Sequence, residues 1–198
     1  MKLLGLTGGI GMGKSAAADC LRQLGLPVTD TDTLARELVA PGQSALREIQ
    51  RAFGDGVVDD AGVLRREELA RIVFADDNRR RELEAILHPR IRAAWLAEAA
   101  RWRERGCLAG GVVIPLLFET DAAWQFSATI CVACTAASQQ ARLRARGWSE
   151  EQITQRIRAQ WPIERKIAAA RYVIWAEGGL ANTAGQLARI LRGVGVVP

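Results

Sequence analysis

The 198-residue chain is 49% hydrophobic and 25% charged, an ordinary balance for a soluble globular protein with one sizeable core. Its formal net charge is +5, and every basic residue except Lys2, Lys14 and Lys166 is arginine. That bias suits bidentate recognition of phosphates or carboxylates, and genome composition explains it equally well, so charge alone selects no partner.

Nothing after Met1 resembles a signal peptide, and the longest apolar run, Cys107–Phe118, is too short to cross a bilayer and contains Pro115. A cytoplasmic protein that avoids membranes is therefore expected. Leu3–Leu6 is a short apolar run of the kind that forms a buried parallel strand. Behind it, Gly8-Gly9-Ile10-Gly11-Met12-Gly13-Lys14-Ser15 fits the phosphate-binding pattern G-x-x-x-x-G-K-[ST]. Ala16–Leu24 continues as a helix, stopped by Gly25 and Pro27. Glycine admits backbone conformations closed to other residues, so amides between Gly9 and Ala16 can turn onto phosphate oxygens. Lys14 is expected along the β- and γ-phosphates of a nucleoside triphosphate, and the Ser15 hydroxyl on Mg²⁺.

A second strand, Leu26–Thr29, leads to Asp30-Thr31-Asp32 and a helix over residues 33–39. Residues just past the C-terminal ends of parallel strands line the ligand crevice of such sheets. Helix capping needs only one of these aspartates, so Asp30 is assigned the cap and Asp32 the reaction. From Ser44 to Arg105 the pattern is helical and charged, with short helices at Ser44–Phe53 and Arg66–Phe74. Leu83, Leu87, Ile91 and Trp95 trace one face of a longer element, in which Pro89 predicts a kink or break. His88, the only histidine, is either a structural residue or a ligand contact.

Val112–Pro115 reads as the third strand with Pro115 as its last residue, and Leu116 to Glu119 leave its end. Glu119 is either an outer-sphere metal carboxylate or a solvated charge. Thr129–Ala133 is the fourth strand, and Cys131 and Cys134 read as buried, reduced thiols rather than a redox or zinc pair. A helix from about Ser138 to Gly147 carries Arg142 and Arg146 on one face and Arg144 on another. Ser149-Glu150-Glu151-Gln152 matches a capping box for the next helix. These arginines form either a lid over phosphates or a solvated face. Arg171–Trp175 supplies a fifth strand and Ala181–Leu191 a closing helix. The expected fold is a doubly wound α/β sheet of about five parallel strands.

These motifs together resemble the dephospho-CoA kinases nearly end to end. The resemblance rests on the 8–15 loop, Asp30-x-Asp32, Leu87-His88-Pro89 and the V-I-P-L-L-F-E run at 113–119. It extends through Arg142–Arg146, Gln160-Trp161-Pro162, Glu164-Arg165-Lys166 and Tyr172-Val173-Ile174. It implies transfer of the ATP γ-phosphoryl group to the ribose 3′-hydroxyl of dephospho-coenzyme A, the last step of coenzyme A biosynthesis. It further implies a catalytic Asp32, acceptor contacts at His88, Pro89 and Leu116, and Arg142 and Arg146 near ATP. Within one P-loop kinase domain, the core is expected at about 1–40, 107–137 and 168–198. The inserted lobe is expected at about 41–106 and the lid at about 138–167, in a monomer or weak homo-oligomer.

The sequence departs from the family pattern at Met12, Ala16, Gly147 and most of all Trp175-Ala176-Glu177-Gly178, near the adenine end of the site in relatives. Trp175 there either stacks on a base or caps the sheet. The nearest alternative is a kinase of the same fold with another small-molecule acceptor. A guanine-selective switch would carry N-K-x-D, which the chain lacks, and its D-x-x-G at Asp59–Gly62 lies in the helical lobe. An RNA-binding module would need aromatic platforms, yet Tyr172 is the sole tyrosine; no nucleic-acid partner is expected.

Overall fold

The computed structural model describes residues 1–196. The chain divides into two compact units: one of residues 1–30 with the chain from Ala99 onward, the other Thr31–Glu98.

The first unit is built on five strands: β1 (Lys2–Gly8), β2 (Val28–Asp30), β3 (Ala109–Val113), β4 (Ala128–Ala133) and β5 (Tyr172–Trp175). They pair in parallel in the order β2-β3-β1-β4-β5. β1 therefore lies in the middle, with Leu4 opposite Gly111 on one side and Ala128 on the other. Strands buried on both faces need no polar alternation, and every residue of β3 and β4 is buried. Helices α1 (Lys14–Gln23) and α9 (Leu180–Gly193) cover one face, where Leu21, Leu187 and Leu191 pack against Leu4, Leu6, Ile130 and Ile174. Each such fully buried side chain contributes on the order of 1.5–3 kcal/mol. At the sheet edge, the Gln186 side chain donates to Trp175 O and accepts from Trp175 N, both at 3.0 Å. It thus occupies hydrogen-bonding groups that β5 would otherwise leave open.

Helices α6 (Ala136–Arg144), α7 (Glu150–Arg158) and α8 (Ile163–Ala169) run between β4 and β5. The capping box forms as its sequence indicates: Ser149 and Gln152 exchange side-chain bonds with each other's backbone N–H. Helix α6 begins earlier than expected, because the Thr135 hydroxyl caps it by accepting from Ser138 N. It also ends earlier, at Arg144, so Arg146 lies in the turn before Gly147 and shares no helix face with Arg142. The third strand likewise differs from its sequence reading. It starts at Ala109, and Pro115 falls two residues past its end, outside the ladder it cannot donate to.

The second unit consists of α2 (Thr31–Leu38), α3 (Ser44–Phe53), α4 (Arg66–Ala75) and most of α5 (Asp77–Glu104). Val39, Leu46, Ile49, Phe53, Val57, Leu64, Leu69 and Ile86 form its core. The Asp59–Gly62 motif closes a surface turn, in which Asp59 Oδ1 accepts from Ala61 N and Val63 N. An isolated antiparallel bridge, Val58–Leu64, flanks that turn. Helix α5 continues unbroken through Pro89, contrary to the expected break. Proline removes one helical donor, and the Arg90 side chain brings another to the same turn by donating to Ile86 O at 2.6 Å. Among the described residues no helix is long and apolar enough to cross a membrane.

Proline inside an exposed helical stretch costs about 3 kcal/mol relative to alanine. Pro89→Ala should therefore stabilise the protein by ~1–3 kcal/mol, measured as a higher urea midpoint. A lower midpoint would mean that the proline is needed for the local fold.

Candidate active site

The turn from β1 to α1 is shaped by two glycines. Gly8 has φ 143°, and a Cβ there would lie 2.1 Å from Val132 O. Gly13, the residue before α1, is left-handed at φ 100°, ψ 15°, and makes no side-chain cap. The first amides of α1 are thus left to an anion, which the positive end of the helix dipole also favours. The Lys14 ammonium donates to Gly8 O and Gly9 O, both at 2.9 Å, and is thereby folded back over the loop it follows.

Both backbone polar groups of Ile10 are held by glutamines of the segment between β4 and β5. Ile10 N donates to Gln160 Oε1 at 3.1 Å, and Ile10 O accepts from Gln139 Nε2 at 2.7 Å. The Met12 side chain is buried with Ala133 and Cys134, against Ile163 and Ile167, so only its backbone serves the loop. Ser15 is exposed in the first turn of α1. No group of three or more His, Cys, Asp or Glu is placed to hold a metal among the described residues. One exposed hydroxyl beside a phosphate loop fits Mg²⁺ that is bound mainly by phosphate oxygens and water.

Arg142, on α6, donates from Nη2 to Ala176 O at 2.7 Å, and its Nη1 lies 3.5 Å from where a Gly13 Cβ would stand. The methyl of Ala176 lies 3.2 Å from the same point. The segment that departs from the family pattern therefore borders the start of α1. Glu177 in that segment accepts from Thr135 N (2.7 Å), Thr135 Oγ1 (2.9 Å) and Ser138 Oγ (2.9 Å). Those bonds hold its carboxyl below the usual carboxylate range. Arg146 is exposed, and Arg144 pairs with Glu150.

Glu119 is not the solvated charge that its position after β3 allowed. Its side chain is 14% exposed and pairs with the fully buried Lys166 at 2.8 Å. Leu116 lies partly buried in the same turn. Cys131 is a buried thiol in β4, pushed up to about 11 by burial, which outweighs the opposing pull of Lys166 and Lys14. All four cysteines are unpaired.

The remaining candidates belong to the second unit. Asp32 sits exposed in the first turn of α2, directly after Asp30 and Thr31. His88 and Pro89 are exposed on α5. Motif reading singled out neither Gln139 nor Glu177. Both act at long sequence separation on backbone groups, for which a linear pattern has no sign.

A family model described as dephospho-CoA kinase matches residues 2–182. The dephospho-CoA kinase of Gloeobacter violaceus is 41% identical over 191 residues, covering 96% of this chain and 91% of the relative. The crystal structure of TT1252 from Thermus thermophilus has a TM-score of 0.86 at 34% identity, with 97% and 96% of the two chains covered. The dephospho-CoA kinase of Campylobacter jejuni has the same fold, at a TM-score of 0.71 and 23% identity over 97% and 96% of the chains.

Because the Glu177 carboxyl is lowered by its hydrogen bonds, its stabilising effect is complete above the ordinary carboxylate range and is lost as pH falls below it. Glu177→Gln should melt below the wild-type temperature at pH 7, and the gap should narrow as pH falls through and below the ordinary carboxylate range. A gap unchanged by acidification would remove the carboxylate from the anchoring of α6.

Proposed function

The chain belongs to the dephospho-CoA kinase family, and on that premise we propose that Asp32 takes the proton of the ribose hydroxyl while the 8–15 loop holds the triphosphate. The enzyme transfers the γ-phosphoryl group of ATP to the 3′-hydroxyl of dephospho-coenzyme A, yielding coenzyme A and ADP. The observation that carries the assignment of the loop is the left-handed Gly13 opening an uncapped α1, beside the ammonium of Lys14.

Phosphoryl transfer asks the protein mainly for positioning and charge neutralisation. The loop from Gly9 to Ala16 binds the phosphates through amides other than that of Ile10, which Gln160 holds, Lys14 lies along the β- and γ-oxygens, and Ser15 is the side chain that would hold Mg²⁺. Bound there, the ion would offset the negative charge of the phosphates. Arg142 flanks the nucleotide at the start of α1, and Arg146 reaches it from the turn after α6 when α6 and α7 close as a lid. The helical lobe takes the acceptor, with His88, Pro89 and Leu116 against coenzyme A. The enzyme works in the cytoplasm as a monomer or weak oligomer, without nucleic acid.

An ADP-release assay with dephospho-CoA, ATP and Mg²⁺ tests the assignment, and a much better alternative acceptor would overturn it. Asp32→Asn should lower kcat by ~10²–10⁴-fold with ATP affinity nearly unchanged. Turnover near wild type in that variant would exclude Asp32 as the base.

A further inference from the structure

Lys166 is a charged residue without contact to solvent, 0% exposed on α8. Its ammonium donates to Pro115 O at 2.6 Å and to Glu119 Oε1 at 2.8 Å. Both acceptors are shared. Pro115 O also receives the Thr7 hydroxyl at 3.1 Å, and Glu119 Oε1 receives Trp161 N at 2.9 Å. Glu119 Oε2 is buried with no hydrogen-bond partner among the described residues.

A buried ion pair with one carboxylate oxygen unsatisfied is a poor source of stability, since desolvation offsets most of the attraction. An apolar pair of similar volume would hold the fold equally well or better. What the charges achieve here is placement. Thr7 immediately precedes Gly8, the first residue of the phosphate loop. Trp161 immediately follows Gln160, whose side chain holds the Ile10 amide. Two of the places that anchor the loop, its entry after Thr7 and its link to Gln160, thus converge on one ammonium group.

We propose that Lys166 is a positioning residue for phosphoryl transfer, fixing through Pro115 and Glu119 the two segments, Thr7 and Gln160–Trp161, that hold the phosphate loop. It rests on the reading that this loop binds the ATP phosphates. A structural role alone predicts that activity follows stability, whereas a positioning role separates them.

The variants are Lys166→Met, which leaves Glu119 buried without its counter-charge, and Lys166→Met combined with Glu119→Gln, which removes both charges at nearly constant volume. The single variant should lose melting temperature and the double variant should regain most of it. In the double variant kcat should still be ~10–100-fold below wild type, the scale of a small misplacement of reacting groups, with KM for dephospho-CoA little changed. ADP affinity by titration calorimetry, which needs no acceptor, should weaken by ~10-fold. The proposal is overturned if kcat and ADP affinity return to wild type along with the melting temperature. It is equally overturned if the double variant does not fold, since the pair then serves the fold. A wild-type protein that binds ADP but leaves dephospho-CoA untouched would refute the assigned acceptor, while the calorimetric comparison would still decide the role of Lys166.

Discussion

The backbone of Ile10, fixed at both its N–H and its carbonyl, is the point on which the phosphate loop depends. A glycine-rich turn is loose by composition, and a loose loop would lose binding energy to ordering each time a phosphate arrived. In this protein Gln160 holds the N–H of Ile10 and Gln139 its carbonyl, so two successive peptide groups of the loop are fixed from two different segments. Lys14 adds two bonds to the carbonyls of Gly8 and Gly9. The amides that face the ligand are therefore oriented by bonds on the other polar groups of the same turn. Preorganisation of this kind is what electrostatic stabilisation of a transferring phosphoryl group requires.

The segment between β4 and β5 that holds Ile10 also carries the arginines expected near ATP. Gln139 and Arg142 are both on α6, and Gln160 follows α7. A change in the position of these helices is thus felt at the phosphate loop through hydrogen bonds. At the other end of α6, Glu177 binds the N-terminal residues Thr135 and Ser138. The departure from the family pattern at Trp175 to Gly178 consequently has a structural content. Its glutamate anchors a helix, its tryptophan is tied by Gln186 at the sheet edge, and its alanine packs by Gly13.

The helical unit follows a different rule. Its main apolar cluster is small, and charged side chains on its surface pair mostly along single helices, as Arg71 does with Glu68, with Arg90 of α5 reaching Glu48 of α3. Such exposed pairs contribute little. Pro89 then stands out as a residue tolerated in a helix rather than suited to it.

Much of the architecture was legible because it depends on neighbours in sequence. The strand–loop–helix at the N-terminus, the capping box at Ser149 and the apolar runs of β4 and β5 are local statements about backbone preference and periodicity. So is the family, since the motifs that mark it are short runs. The sequence reading failed in other places. Helix α5 runs on past Pro89, where proline alone predicts a kink or break, and no break occurs there. Arg146 falls outside α6, so spacing by four ceases to place it on a face. Glu119 looked solvated until Lys166, far along the chain, was found against it. Sequence determined which residues could form a phosphate loop; the tertiary structure decided what holds it. The physical reason is that hydrogen bonds and ion pairs between segments are set by the packing of the sheet and its helices, which brings together residues whose separation along the chain carries no pattern.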